Sequence, residues 1–553
     1  MPVARSVLLA SFALFALIWF LTLGTRSLIH SDEGRYAALA LEMARSGDWV
    51  TPRLNGLLYF EKPALQYWIG ALSFLVFGVS EFSARLWPGV AGFLTVLAVA
   101  LTATRLWGRE SGLHAFAIAA SMTWIIGNSH FLTLDAGLTL FLTLTLCAVL
   151  LAQISEPDAP AQRRWICLAW GAMAGAVLSK GLVGIVIPGC TLVLYSLASR
   201  DFGIWRRLRW APGMTIFLLI AVPWFVVVSL RNPGFAEFFF IHEHFARYLT
   251  TVHDREGPLW YYLPLLLIGL LPWTGGLPWL LRGNGLRMVP RHGQGNGQGA
   301  AGVRNILIAW AGFVLVFFSV SGSKLPSYIL PMFPALALLL TAQLNQVGAR
   351  ALRWHLLVPA LVWVGAGFAS TQFERLADSD TPVQVLAVLA HAVRVGAVLF
   401  LVGAAAAWWC LGRRRISAAV ICVAFAHFAA FMLVMQGHDA HGQLKSADAL
   451  AAQLLPLIEK DTPVFAVRSY DQSLPFYLQR NVVLVDYVDE FDFGQRHEPG
   501  KSLATLDDFV ARWRVLPRAA AYMTRETWQE LRARDVPMRV VFEDPRRLVV
   551  VKP

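Results

Sequence analysis

Polar and apolar positions along this chain are grouped in long blocks. Fourteen apolar runs approach the roughly 20 residues that a helix needs to cross a hydrocarbon core about 30 Å thick. They lie near 6–27, 64–80, 84–106, 112–129, 134–154, 165–179, 181–199, 213–230, 260–281, 305–321, 328–345, 355–370, 388–411 and 416–436. Charge lowers the expected count. If all fourteen crossed, Arg105/Arg109, Arg163/Arg164, Arg206/Arg207/Arg209, Arg282/Arg287/Arg291, Arg350/Arg353 and Arg413/Arg414/Arg415 would all face outward, against the positive-inside rule. One change repairs all six: Ala64–Ser80, which follows Pro63 and opens with Gln66, Tyr67 and Trp68, lies at the interface or re-enters.

Thirteen spans with a cytoplasmic N-terminus are therefore expected. Outside lie 28–83, Gly127–Leu134, the turn at Lys180, the loop 231–259, the turn at Lys324, and the tail after Gln436. In that tail the pattern changes. Lys445–Glu459, Leu503–Trp513 and Glu526–Arg532 read as helices; Pro463–Val467, Val482–Val485, Met538–Phe542 and Leu548–Val551 read as strands. The expected layout is an all-α polytopic membrane domain over 1–436 and a small soluble α/β domain over 437–553.

Composition agrees with a membrane protein: 57% of the 553 residues are hydrophobic, 15% are charged and mean hydropathy is +0.55. The run Val7–Leu23 after Arg5 resembles a signal peptide, but no small-x-small cleavage site follows, so it reads as a retained first helix. All five cysteines sit in apolar runs and offer no disulfide framework. The net charge of +12 is spread as arginines in ones, twos and threes between spans, which reads as topology and not as nucleic-acid binding. Gly283–Gly302 reads as a flexible Gly/Gln-rich linker without chemistry.

Against this background Ile29–Pro63 stands out, gathering Asp32, Glu33, Arg35, Glu42, Arg45, Asp48, Arg53, Glu61 and Lys62 in one outer segment. Ser31-Asp32-Glu33 has two readings, an N-cap with acids favoured by the helix dipole or a catalytic carboxylate at Asp32. Lys62 offers a compact positive charge to a phosphate. Asp135, Lys180 and Lys324 stand at span ends, where snorkelling is the ordinary explanation for any one of them. Their convergence with Asp32 and Lys62 on one face is what suggests a site.

The loop 231–259 holds His242, Glu243, His244 and Arg247. Two histidines two apart do not share a helix face, so a metal, zinc being the natural choice, would need one histidine joined by Glu61. Arg247 reads as a phosphate clamp. Lys324 and Tyr328 lie at a proline-broken helix junction, which membrane proteins tolerate where it lines a polar cavity.

Five stretches carry a family likeness: DEGRYA at Asp32–Ala37, SGDWVTPRLNGLLYFEKPALQYW at Ser46–Trp68, LDAGLTLFLTL at Leu134–Leu144, LSKGLVGIVIPG at Leu178–Gly189 and SKLPSYILPMFPALALLL at Ser323–Leu340. They resemble the lipid A aminoarabinose transferases, membrane glycosyltransferases of the GT-C fold related to the protein O-mannosyltransferases. The likeness is clearest over residues 1–345. A departure is Lys62-Pro63-Ala64, where the family commonly has a second proline.

The resemblance implies inverting transfer of 4-amino-4-deoxy-L-arabinose from undecaprenyl phosphate to lipid A phosphates, at the periplasmic side of the bacterial inner membrane, with resistance to polymyxin-like peptides as the outcome. It implies Asp32, Asp135 and Lys180 as catalytic residues. It places Lys62, Arg247 and Tyr328 near the lipid phosphate; from the residues themselves, Arg35, Tyr59 and Lys324 are expected to bind substrate beside them, and Glu61 with His242 would hold any divalent metal. Two other functions fit the pattern: transfer of a different polyprenyl-linked sugar to lipid or protein, and lipid flipping without chemistry, although transporters usually carry paired inverted repeats with a midplane site.

Overall fold

The computed structural model describes residues 5–156, 158–246, 257–281 and 298–553. Helix covers each of the thirteen expected runs. Eight helices are long and apolar enough to cross a membrane unaided, among the described residues, from Glu81–Trp107 to Ile416–Leu444. The pair Tyr262–Gly269 and Thr274–Leu280, bent by 106° at the break that holds Pro272, is a broken span or a re-entrant loop, and counted as one span it brings the number to nine. The other four runs are helical but modified. Arg5–Leu21 and Val183–Ser199 are 17 residues each, Arg109–Ser121 breaks from Thr123–Ser129 at Met122, and Pro160–Lys180 carries arginines in its first turns.

The run expected to lie at the interface is Leu65–Phe77, whose 13 residues rise about 20 Å, short of a hydrocarbon core. Its indole Trp68 donates to the Trp49 carbonyl at 2.7 Å, and Trp224 at the outer part of a span donates to Val50 O at 3.0 Å. These two rings tie the polar segment to the bundle. The linker 283–302 lies largely outside the described residues.

Beyond the last long helix the tail forms a five-stranded mixed sheet. We label the strands of the chain β1 (Arg53–Leu54), β2 (Leu57–Leu58), β3 (Val464–Val467), β4 (Val483–Val485), β5 (Ala520–Met523), β6 (Arg539–Glu543) and β7 (Leu548–Val551). The tail order is β4-β3-β5-β7-β6. Strand β3 runs parallel to both β4 (Phe465 opposite Val483) and β5 (Val464 opposite Ala520), while β7 is antiparallel to β5 and β6.

The sheet alternates with period two, and both of its faces are covered. Phe465 and Val467 point into a core with Phe509, Trp513, Leu531 and Val550. Val464 and Ala466 point the other way, into an apolar cluster that also contains Tyr36, Leu39, Leu57, Tyr59, Tyr67, Trp224 and Phe235 from the bundle side. The polar segment and the sheet are thus one packed body.

Candidate functional site

The helix that carries the first candidate acid is Asp32–Ser46, amphipathic, with Asp32 and Glu33 in its first turn. Ser31 makes no side-chain cap, so the N-cap reading is corrected; the backbone NH groups of Gly34 and Arg35 reach Ile29 O and Ser31 O instead. What fixes this helix end is Glu33. Buried at 2% exposure, it receives Arg85 Nε at 2.6 Å and Nη2 at 2.8 Å, plus the Leu132 NH at 2.9 Å. Arg85 also donates to Leu23 O, Arg26 O and Ser27 O, so one guanidinium from the span Glu81–Trp107 holds the whole approach to the helix. Burial would push the Glu33 carboxyl up; Arg85 outweighs it and holds the group below its usual range.

Asp32, one residue earlier, is different. It pairs with Arg35 at 3.0 Å and keeps 37% of its side chain exposed. Arg35 Nε also meets Glu490 of the tail at 2.5 Å. Burial alone would lower the Arg35 pKa, but Tyr59, Glu490, Glu61 and Asp32 around it raise it, so it stays charged. Glu490, held by Gln472 at 2.9 Å, is pushed up by burial despite Arg35.

Around this pair lie three buried phenols, Tyr59, Tyr67 and Tyr470, whose hydroxyls find no hydrogen-bond partner among the described residues. Burial pushes the Tyr59 and Tyr470 phenols well above their ordinary value, leaving both as protonated donors. Buried hydroxyls are normally satisfied, and three together beside a carboxylate and a guanidinium suit a polyhydroxylated ligand.

A second group sits at the ends of two spans. Lys180, last residue of Pro160–Lys180, pairs with Asp135, first residue of Asp135–Gln153, at 2.5 Å and lies 4.4 Å from the Tyr328 ring centre. Tyr328 belongs to the turn Pro326–Met332 that precedes the helix Phe333–Leu344. Lys324 is buried and donates to Ser321 O at 2.7 Å, which makes it a local fastener of that turn.

Lys62 pairs with buried Glu243 at 3.0 Å, and that glutamate lies in the π-helix Glu237–Ala246. The two groups adjoin through Leu65–Phe77: Gln66 donates to Thr133 O at 3.3 Å, and Leu178 packs in the cluster of Tyr59 and Tyr67.

Asp32, Arg35, Tyr59, Glu61 and Lys62 are thus gathered with Glu490, next to Asp135, Lys180 and Tyr328. Arg247 and the side chain of His242 lie outside the described residues. Among the described residues no group of three or more His, Cys, Asp or Glu is gathered for a metal ion. The neighbours of Glu61 include the cations Arg35 and Lys62, which disfavour a divalent ion there.

Sequence reasoning missed Glu490, Tyr470 and the Glu33–Arg85 clamp. Arg85 could have been found: an arginine inside an apolar span calls for a buried partner. Nothing local marks Glu490, which only the tertiary fold brings to the site.

Such an arrangement, a helical bundle that carries an acid-led first segment and a small sheet at one end, defines a polytopic membrane protein of the GT-C glycosyltransferase fold. Residues 5–239 match the family model described as dolichyl-phosphate-mannose-protein mannosyltransferase, and residues 450–552 match that of the aminoarabinose transferase C-terminal domain. The chain belongs to the aminoarabinose transferase family.

Its curated relatives are named undecaprenyl phosphate-alpha-4-amino-4-deoxy-L-arabinose arabinosyl transferase. One from Pseudomonas paraeruginosa is 35% identical over 69% of this chain and 68% of its own; one from Edwardsiella ictaluri is 33% identical over 64% and 62%. In those alignments the chain spans 58% to 64% of the length of the first three relatives. The crystal structure of ArnT from Cupriavidus metallidurans bound to undecaprenyl phosphate superposes with a TM-score of 0.92 at 36% identity, over 99% of this chain and 98% of that one.

Proposed function

We propose that this chain transfers 4-amino-4-deoxy-L-arabinose from undecaprenyl phosphate to a phosphate group of lipid A, at the periplasmic face of the inner membrane. The names of its relatives and the undecaprenyl phosphate bound to the solved ArnT support the donor. The observation that carries the sugar is the cluster of Tyr59, Tyr67 and Tyr470 hydroxyls, without partners among the described residues, around Arg35 and Glu490. Hydroxyls of a pentose would pair with the phenols, and its ammonium with the carboxylates of Glu61 and Glu490.

In the reaction the bond between C1 of the sugar and the prenyl phosphate oxygen breaks, its electron pair staying on that oxygen. A phosphate oxygen of the acceptor attacks C1 from the opposite face and inverts it. One further negative charge develops on the leaving phosphate. Fixed cations at the rim, Lys62 and Lys180, stabilise that charge in the transition state. Lys180, held between Asp135 and the Tyr328 ring, is pre-oriented for this task. An acceptor phosphate is already ionised, so Asp32 orients it and stabilises positive charge at C1; for a hydroxyl acceptor it would take the proton. No step here passes through a metal.

Purified protein supplied with the aminoarabinose donor and lipid A should yield lipid A heavier by one aminopentose. Transfer of another prenyl-linked sugar with failure of this one would overturn the donor. Full activity of Asp32→Asn would remove the proposed chemistry.

A further inference from the structure

Apart from the acid cluster, a cavity of about 590 Å³ opens between the polar segment and the tail sheet. Its walls are the C-terminal turn of Asp32–Ser46, the β1–β2 hairpin, the chain entering β4, residues 500–502, and the helix Leu506–Val515. The hairpin turns on Asn55-Gly56, both at positive φ (52° and 77°), as a two-residue turn of this kind requires. Asn55 then locks the hairpin to the sheet by exchanging two 2.7 Å hydrogen bonds with the Val482 backbone. Lys501 adds a bond to Gly56 O at 2.8 Å, and Arg53 and Lys501 share Glu498 at 2.9 Å. The cavity is therefore preformed, and its walls come from two regions far apart in sequence.

The lining mixes polar and apolar surface, and its charged groups are mostly cationic. Arg53, Lys501 and Arg512 face it against one acid, Glu42, with Ser46 and Asn481 supplying further polar groups. Burial pushes the Glu498 carboxyl beneath it up, but its hydrogen bonds and charge pairing with Lys501 and Arg53 together outweigh that and hold it below its usual range, one acid against two cations. Arg512 is exposed, and its guanidinium has no ion pair or hydrogen bond among the described residues. A volume of this size holds a small ligand, and a free guanidinium with hydroxyl and amide neighbours suits a carboxylate or phosphate carried on a sugar.

We propose that this cavity is a second saccharide subsite that binds an acidic sugar of the acceptor glycolipid, away from the phosphate that is modified. Its assignment to the acceptor rests on the transfer reading above. The hairpin that forms one wall runs directly into Tyr59, Glu61 and Lys62, so the cavity adjoins the segment that carries the candidate reacting groups.

Two measurements on the full-length protein in detergent test it. In the first, a soluble hexuronic acid disaccharide is titrated against wild type, Arg512→Glu and Ser46→Trp, with a neutral disaccharide as control. Binding of the acidic sugar should weaken about tenfold in Arg512→Glu and be blocked in Ser46→Trp, while the neutral sugar binds wild type no better than either variant. Absence of binding to wild type, or equal binding to all three proteins, overturns the subsite.

In the second, transfer is followed with acceptors that carry or lack an acidic sugar. Arg512→Glu should raise KM about fivefold for the first, leave kcat unchanged, and leave the second acceptor unaffected. An equal change for both acceptors, or none for either, overturns the assignment to the acceptor. If wild type modifies neither acceptor, the transfer reading is what falls, and the titration alone decides whether the cavity binds acidic sugars.

Discussion

Asp32 and Glu33 are chain neighbours in the same helical turn, yet they sit in opposite environments. Glu33 is sealed: Arg85 grips both of its oxygens and the Leu132 NH takes up more of its accepting capacity. Asp32 shares Arg35 with Glu490 and keeps over a third of its surface open. A carboxylate whose bonds are saturated can only hold structure. One that is partly solvated, beside a cation with spare donors, remains available to a substrate. On the proposed reading the two residues divide the work of this segment between clamp and chemistry.

The largest effect expected from this contrast is on activity. Asp32→Asn should lower kcat by about 10²–10⁴-fold, the usual contribution of a positioned acid or base, while the thermal unfolding midpoint stays close to wild type. A large drop in that midpoint would erase the distinction. Glu33→Gln should do the reverse, destabilising by about 3–5 kcal/mol because it leaves a buried guanidinium without its countercharge. Calorimetry of the purified protein checks this; a stable but inactive Glu33→Gln would move Glu33 to the chemical side.

Asn55→Ala, which deletes both bonds of the hairpin to Val482, should cost about 1–3 kcal/mol and loosen the sheet from the bundle, detectable as faster proteolysis between 481 and 505.

The smallest expected effect is in the pH dependence of stability. Glu33 is held below its ordinary carboxylate value of 4.5, so its stabilisation is present above that value and is lost as pH falls through the folded-state value. Glu490 is shifted upward, so its contribution is present at low pH and is lost as pH rises past 4.5 through its folded-state value. Stability curves of Glu33→Gln and Glu490→Gln should therefore flatten on opposite sides of the wild-type maximum. Flattening on the same side would show that one of these environments is misread.

Much of the fold was legible because lipid imposes long apolar runs and charge fixes their sides. Thirteen helical runs, the shortness of the helix Leu65–Phe77 and most of the tail elements follow from pattern alone. Strand β5 does not: Ala519-Ala520-Ala521 has little strand propensity, and burial on both faces, not local preference, makes it the sheet's central strand. The site divides the same way. Asp32, Lys62, Asp135 and Lys180 stand out as charges at the ends of apolar runs. Glu490, one acid among many in a soluble-looking tail, has no such background to stand against. The hairpin at Asn55-Gly56 carried a readable turn signal that the dense charge around it obscured.

At Gly34 the tail backbone lies directly against the first helix. A Cβ there would lie 2.3 Å from the Ser473 backbone nitrogen and 2.5 Å from the Gln472 carbonyl carbon. The sheet is therefore seated on the first helix after the membrane with no room for a spacer. During synthesis the bundle emerges first and the piece that supplies Glu490 and Tyr470 last. A chain halted before that final stretch would sit in the bilayer with the hollow around Arg35, Tyr59 and Tyr67 unroofed.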